Sequence, residues 1–234
     1  MTHTPCTQPR MPGWVRQVAV TDKDRPRGWL TWVGAFSLLA ILLCAVACAP
    51  WEVGAEHNVI RNGIKFDAFR ESNDGSKTGN LAEDTIIDDW PCKRGFVSFY
   101  ADWRLDECHL SREHERNGVV MPEGTRVFPD ERGNPGVCLF PYDVNVQGFS
   151  CRGNRAGGFM TAFYPNGQLH WFYTRDPVVV DSVTCADSLF EAIYLHADGR
   201  LQQCKLEESA VIGGREYRKG VVIQFDRSGA VSSR

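Results

Sequence analysis

Hydrophobic and polar residues alternate in steps of two along much of the chain after residue 80, and this period is typical of β-strands. No segment after Cys48 carries the apolar stripe of a three-turn helix. The dipeptides Asn166-Gly167 and Asp198-Gly199 end two of the alternating runs and favour tight hairpin turns, because such turns need positive φ angles. The sequence therefore predicts an all-β fold.

The alternating runs belong to a unit that recurs five times between residues 80 and 234. One turn column, with spacings of 29, 30, 34 and 32 residues, holds Asp89, Gly118, Gly148, Ser182 and Gly214. A further turn column holds Gly95, Gly124, Gly157 and Gly220. One unit is too small to bury its own apolar face. We therefore expect an array of about five stacked three-stranded meander or hairpin repeats, forming an elongated β-sheet or solenoid.

The N-terminal region has a different pattern. Residues 29–49 carry no charge over 21 positions, which is long enough for a hydrophobic helix that crosses a bilayer. Five basic and two acidic residues precede this segment, so the leader has a charge of +3. The positive-inside rule then keeps the start of the chain in the cytoplasm and exports the rest. Translation starts at Met1 or at Met11, and the later start leaves a leader of more ordinary length.

Two interpretations of this segment stay open beside a buried core helix. In the first, Ala45-Val46-Ala47-Cys48 resembles a bacterial lipobox, so the signal peptide is cleaved before Cys48 and the Cys48 thiol is lipidated. Ala49, rather than Asp, follows that cysteine, which by the same resemblance favours the outer membrane. In the second, the segment is an inner-membrane signal anchor with residues 1–28 inside.

These patterns divide the chain into three parts. Residues 1–47 are a signal peptide or signal anchor. Residues 48–79 are a tether with a degenerate first repeat or cap, and the small polar residues of 71–80 predict a flexible linker there. Residues 80–234 are the five-repeat β array. The net charge of −3 splits into +3 before the segment and −6 after it, and this acidic exported part excludes a nucleic-acid partner.

Six cysteines of the repeats fall in two columns. In an oxidising compartment disulfides are plausible, and the gaps suggest Cys92 with Cys108, Cys138 with Cys151, and Cys185 with Cys204. The alternative is that both columns are simply buried apolar positions. Met121, Phe172 and Tyr217 occupy the same columns and favour that alternative.

No catalytic or cofactor motif is present in the sequence. The run from Cys108 through His109 to His114 does not have the spacing of a zinc site, so we expect no metal. The carboxylates are scattered at loop positions and are best explained as a solvated face. We therefore nominate no catalytic residue and no cofactor, and we expect a protein that is not an enzyme.

Aromatic residues are the candidates for partner contact. Trp90, Trp103, Trp171 and Tyr173 lie at irregular or turn-adjacent positions, where an exposed ring could stack on a partner. The alternative role for these residues is core or inter-repeat packing.

The segment Phe163-Tyr164-Pro165-Asn166-Gly167-Gln168-Leu169 resembles the bacterial variant of the membrane occupation and recognition nexus (MORN) repeat. The resemblance covers residues 80–234 and implies a sheet of stacked hairpins that serves as a scaffold or binding surface, without any single chemistry. Some bacterial members are described as antitoxin-like. The unit here is longer than the usual repeat, and Trp103 replaces the turn glycine.

Together these observations predict an exported, membrane-tethered β-repeat lipoprotein of the cell envelope. We expect it to be a non-enzymatic binding or scaffold module with a protein or glycan partner. The alternatives are a periplasmic immunity or antitoxin-like protein and an envelope enzyme.

Overall fold

The structure is a computed structural model that describes residues 54–153 and 158–232. The predicted N-terminal helix, the cleavage site and Cys48 lie outside the described residues. Within them the chain is all-β, as predicted, and no helix is present that could cross a membrane.

The described residues form strands of three to ten residues. Their bounds are β1 (Glu56–Arg61), β2 (Ile64–Glu71), β3 (Lys77–Leu81), β4 (Thr85–Ile87), β5 (Trp90–Phe99), β6 (Leu105–Leu110), β7 (His114–Arg116), β8 (Val119–Met121), β9 (Arg126–Pro129), β10 (Pro135–Leu139), β11 (Val144–Val146), β12 (Phe149–Cys151), β13 (Thr161–Phe163), β14 (Leu169–Phe172), β15 (Val178–Val180), β16 (Val183–Cys185), β17 (Ile193–Leu195), β18 (Leu201–Lys205), β19 (Ala210–Ile212), β20 (Arg215–Tyr217) and β21 (Val222–Gln224).

Most strands join one antiparallel sheet, called here the main sheet. Its order is β1-β2-β3-β5-β6-β9-β10-β13-β14-β17-β18-β21, with β4 paired to the start of β5. Four further pairs form separate two-stranded sheets: β7–β8, β11–β12, β15–β16 and β19–β20. These four, together with the β4–β5 pairing, are called the small hairpins.

The small hairpins explain the first turn column of the sequence. Each has a two-residue turn in which both residues have positive φ, the geometry of a type I′ turn. The φ angles are 50° and 66° at Asp88 and Asp89, 52° and 74° at Asn117 and Gly118, 54° and 90° at Gln147 and Gly148, 48° and 68° at Asp181 and Ser182, and 59° and 79° at Gly213 and Gly214. The same turn geometry therefore recurs in all five small hairpins.

The β1–β2 hairpin has a two-residue turn with positive φ at Asn62 and Gly63. The later hairpins of the main sheet and the turn after β21 share another geometry. In each of these, the backbone N–H of the first turn residue donates to the carbonyl of the residue four positions later, as from Tyr164 to Gln168 at 2.8 Å. A residue with positive φ precedes that acceptor, and it is Gly75, Trp103, Gly133, Gly167, Gly199 or Gly229. Gly95, Gly124 and Gly220 of the second predicted turn column also have positive φ, while Gly157 lies outside the described residues.

Two expectations from the sequence are corrected by this topology. A complete repeat has four strands rather than three, as in β11 to β14, because it contributes a small hairpin and two strands of the main sheet. The predicted linker at 71–80 is instead the end of β2, a hairpin turn and β3. Its polar residues form the turn: the backbone N–H of Ser76 donates to Asp74 Oδ1 at 3.0 Å.

The core lies between the small hairpins and the main sheet. Each small hairpin turns one face toward the sheet, and burial of those apolar faces is the driving force for stacking the units. The repeat columns supply the core with fully buried side chains, which include Leu81, Cys92, Cys108, Leu110, Met121, Cys138, Phe140, Cys151, Leu169, Phe172, Cys185, Leu195 and Cys204.

Hydrogen bonds from the small-hairpin turns fix these units on the sheet. The backbone N–H groups of Leu105, Leu169 and Leu201 donate to the side chains of Asp88, Gln147 and Asp181 at 2.9, 3.0 and 2.8 Å. Pro135 has no N–H to donate at the equivalent position of the second repeat. There the side chain of Asn117 instead donates to the carbonyl of Pro165 at 3.2 Å.

Candidate binding surface

The cysteines of each repeat meet in the core. Cys92 lies opposite Leu110, and Cys108 is two residues from Leu110 on the same face of β6. Contact with the Cys108 thiol and burial both raise the pKa of Cys92. The second pair has the same arrangement: Cys185 bridges to Leu206, and Cys204 is again two residues away. All six cysteines of the repeats are buried and carry no disulfide here.

The other two cysteines have different neighbours. The Cys138 thiol lies 3.6 Å from Met121 Sδ, so these two residues repeat the contact seen between Cys92 and Cys108. Cys151 contacts the hydroxyl of Thr161, and burial raises the pKa of its thiol to about 12. The sulfur contacts therefore join a residue of one cysteine column to a residue of the other column in the same repeat. They do not support the predicted pairing of Cys138 with Cys151, which belong to different repeats.

Trp90, one of the predicted partner contacts, is fully buried and not available to a partner. It opens the return strand of the first small hairpin, where its ring turns toward the core. His114 packs against it with ring centroids 5.3 Å apart, and the Arg116 guanidinium lies 4.9 Å from the ring centroid. The prediction for Trp90 was wrong because an irregular position in sequence lies inside the small-hairpin layer.

Trp103 is at a hairpin tip, as predicted, but its ring folds back on the core. It has a positive φ of 68° at the position where the other hairpins have glycine. The ring stacks on Phe69, with centroids 5.6 Å apart and planes 5° apart, and Lys77 Nζ lies 5.2 Å from the ring centroid. These contacts give Trp103 a packing role.

Trp171 lies on the solvent face of the main sheet. In β14 its neighbour Phe172 points into the core and is fully buried, so Trp171 points the other way. Residues directly opposite Trp171 on successive strands continue a row across the sheet, which we call the outer row. Its members are Phe128, Val137, Ala162, Trp171, Tyr194, Gln203 and Gln224.

Aromatic rings gather around the middle of the outer row. Trp171 lies 6.4 Å from Tyr194 and 6.2 Å from Tyr173, measured between ring centroids. His170 lies 4.2 Å from Tyr164 and 6.2 Å from Tyr194. The aromatic cluster so formed consists of Phe159, Tyr164, His170, Trp171, Tyr173 and Tyr194. All six rings are partly exposed.

The two longest connections of the array border this cluster. The chain from a small hairpin to the next strand of the main sheet is 122–125 in the second repeat and 218–221 in the fifth. In the third and fourth repeats it extends over 152–160 and 186–192. Phe159 of the first long connection packs on Tyr173 with centroids 5.6 Å apart. Burial raises the pKa of Tyr173, and the charge of Glu191 on the second long connection adds to that rise. The long connections therefore flank Tyr173.

Ionic contacts hold the start of the first long connection. The Asp143 carboxylate accepts hydrogen bonds from Arg175 Nε at 2.6 Å and from the backbone N–H of Gly153 at 3.0 Å. These bonds lower the pKa of Asp143. The Arg152 guanidinium lies 4.2 Å from the ring centroid of Phe159, which fixes that ring beside Tyr173.

The outer row itself contains no charged side chain, but charged groups border it. The Arg126 guanidinium lies 5.0 Å from the Phe128 ring centroid, and Glu191 and Arg215 line the same pocket as Gln203 and Gln224. Burial among aromatic rings lowers the pKa of His170, which keeps the imidazole neutral at pH 7, and burial raises the pKa values of Tyr164 and Tyr173. Such a surface suits stacking and hydrogen bonding with an uncharged partner.

No metal cluster is present among residues 54–153 and 158–232. The candidate run at Cys108 is divided by the strand: Cys108 faces the core, His109 lies on the opposite face of β6, and His114 packs on Trp90. These three side chains are therefore held apart.

The sequence pointed to Trp171 and Tyr173 but not to the four other members of the same surface, which are Phe159, Tyr164, His170 and Tyr194. The alternation of apolar and polar positions along the strands does not distinguish these residues from core residues. The signal that could have found them is repeat length, since the spacings of 34 and 32 residues mark the two repeats with the long connections.

Comparison with known proteins returned no similar family. No protein-family model matches the chain, and no curated protein matches it significantly.

Proposed function

We propose that this protein is a non-enzymatic binding module, exported and tethered to a membrane, that holds its partner on the outer row and the aromatic cluster. The observation that carries the proposal is the coincidence of six contacting rings on a solvent face with the two longest connections of the array. In repeat proteins, insertions commonly mark the face that binds. Exposed Trp and Tyr side chains are also the residues that dominate binding energy.

The experiment is a capture of partners from solubilised cell envelopes by the full chain, with both protein and carbohydrate measured. We expect Trp171→Ala combined with Tyr194→Ala to abolish capture. The matched control is Tyr100→Ala, which removes an exposed aromatic side chain outside the cluster, and it should capture as the wild type does. Undiminished capture by the double variant would contradict the proposed surface.

The tether follows from the sequence of the leader. A +3 leader, 21 uncharged residues and the lipobox-like Ala45-Val46-Ala47-Cys48 support cleavage and acylation at Cys48, with the array on the far side of the inner membrane. The rival is an uncleaved signal anchor. Mass spectrometry of membrane-extracted protein separates them: diacylated Cys48 at the N-terminus is the expected result, and a mature chain that retains residues 1–28 would contradict lipidation.

Export also gives the cysteine pairs a role. We propose that two disulfides form, Cys92 with Cys108 and Cys185 with Cys204, each within one repeat. Contact of the paired thiols in the same arrangement supports both bridges. Cys138 and Cys151 stay reduced, because Met121 and Phe172 occupy the position that a second cysteine of the same repeat would need.

A further inference from the structure

We propose that the partner of the outer row is a linear, uncharged polysaccharide with β-linked sugar rings, and this inference rests on the proposed binding function of the same surface. Four properties of the surface lead to it: the shape of the face, its aromatic rings, its amide groups and its lack of charge. The choice is between a glycan and a protein, and each property bears on that choice.

The first property is length in one direction. The outer row crosses seven neighbouring strands, from β9 to β21, and strands lie ~4.8 Å apart, so the row is about 29 Å long. Each strand adds one side chain at a regular interval. A regular row of this kind matches a polymer that presents a similar group at each unit.

The second property is the set of partly exposed rings in the middle of the row. The C–H groups on the flat side of a sugar ring carry partial positive charge, and they are attracted to the negative face of an aromatic ring. Trp171 and Tyr194 lie on adjacent strands with their planes 42° apart, so they can contact successive units of a twisted chain. The ring of Tyr173, at 86° to Trp171, forms a side wall.

The third property is the pair of amides beside the rings. Gln203 lies opposite Tyr194, and Gln224 lies opposite Gln203. The Gln224 amide nitrogen donates to Gln203 Oε1 at 2.5 Å. This bond orients the two side chains so that the NH2 of Gln203 and the carbonyl of Gln224 offer one donor and one acceptor. Neighbouring hydroxyls of a sugar need that combination.

The fourth property is neutrality. The outer row has no Asp, Glu, Lys or Arg, while the exported part as a whole has a charge of −6. A charged polysaccharide or a nucleic acid would find no counter-charge on the row, and the acidic remainder would repel a polyanion. A protein partner commonly uses charged groups for orientation and specificity, and on this surface such groups lie at the border of the row, as at Arg126, Glu191 and Arg215, and not within it. A neutral glycan needs stacking and hydrogen bonds only.

The experiment measures the binding of defined sugars to the full-length protein by calorimetry and tryptophan fluorescence. The probes are β-1,4-linked hexasaccharides of glucose and of N-acetylglucosamine, with the α-1,4-linked glucose hexasaccharide as the matched control of different shape. We expect saturable binding of at least one β-linked probe and none of the α-linked one. Trp171→Ala should weaken the affinity at least tenfold, and Gln203→Ala by a smaller factor, while Tyr100→Ala should not change it.

The outcomes separate the two proposals. If neither β-linked probe binds while envelope capture still depends on Trp171 and Tyr194, the glycan inference is overturned and the binding surface stands. If a β-linked probe binds equally well to the wild type and to all variants, the outer row is not its site, which overturns the inference. Should Trp171→Ala fail to fold, Trp171→Phe and Gln203→Ala provide the same comparison: binding unchanged by Gln203→Ala and by Trp171→Phe would also overturn it.

Discussion

The Asp181 carboxylate accepts a hydrogen bond from the backbone N–H of Leu201 at 2.8 Å, and this bond ties a small-hairpin turn to the start of a strand in the main sheet. Asp88 makes the same bond to Leu105 at 2.9 Å. A turn residue in these repeats therefore has two roles. It allows the positive φ of the type I′ turn, and it fixes the small hairpin on the sheet.

Substitutions at Asp181 should separate the two roles. Asn tolerates positive φ and can accept the same bond, so Asp181→Asn should leave the free energy of unfolding nearly unchanged. Gly keeps the turn and loses the bond, which should cost about 1 kcal/mol. Ala loses the bond and is also strained at the φ of 48°, so it should cost more than Gly. Urea denaturation measures the series, and equal stability of the Gly and Asn variants would contradict the role of the bond.

At Trp103, we expect the glycine variant to be more stable than the alanine variant. Both Trp103→Gly and Trp103→Ala lose the stacking on Phe69, and both should be less stable than the wild type. Because φ is 68° at this position, Ala should be the less stable of the two by about 1 kcal/mol. Chemical denaturation of the three proteins checks the order. An Ala variant as stable as the Gly variant would show that the turn adapts its backbone.

The thiols should divide into two classes in the exported protein. Alkylation after denaturation without reductant should label Cys138 and Cys151, while Cys92, Cys108, Cys185 and Cys204 should react only after reduction. Peptide mapping by mass spectrometry gives the pattern directly. Each bridge joins two thiols with transfer of two electrons and two protons to an exchanging disulfide.

The same bridges should stabilise the oxidised protein. A bridge that closes a loop of roughly 15 residues contributes about 3 kcal/mol. The free energy of unfolding should therefore fall on reduction in the wild type. In Cys185→Ser combined with Cys204→Ser the fall should be smaller. A bridge between Cys138 and Cys151 in the peptide map would contradict the pairing rule within repeats.

His170 should make stability depend on pH. Its pKa is lowered in the folded protein by burial, so the unfolded chain binds the proton more readily. As the pH falls through the ordinary histidine pKa of about 6.5, protonation then favours unfolding and stability is lost. His170→Phe keeps a ring beside Tyr164 but cannot titrate. Its urea midpoint should fall less between pH 7.5 and pH 5 than that of the wild type, and parallel falls would contradict the prediction.

Periodicity along the chain was enough to predict the β class, the five units and two of the turn columns. Asn166-Gly167 and Asp198-Gly199 do lie in hairpin turns, but only Gly167 and Gly199 have positive φ, so these are not the two-residue primed turns that the pairs predict. The small hairpins were harder to recognise as separate strand pairs. Three-residue strands such as β15 and β16 are too short to show a period of two, so each unit looked three-stranded.

The candidate surface, too, could be predicted from the sequence only in part. Trp171 and Tyr173 could be nominated from the sequence, but so could Trp90, which is in the core. Bulges shift the strand register between Ala162 and Phe163 and between Tyr194 and Leu195. Because a bulge changes which side chains face the solvent, the local sequence does not show on which face of the sheet an aromatic residue lies. The aromatic partner of Trp171 across the sheet, Tyr194, belongs to the next repeat, and only strand pairing brings the two rings together.

The local pattern of the sequence therefore determined the turns, the strands and their repetition, because φ preferences and apolar alternation act over a few residues. The tertiary structure decided which cysteines meet, which tryptophan is buried and which rings join Trp171. Each of those outcomes depends on the register between strands and on the layer in which a hairpin lies. Register and layer are set by packing of the whole array, where burial of the apolar faces outweighs the preference of any single residue.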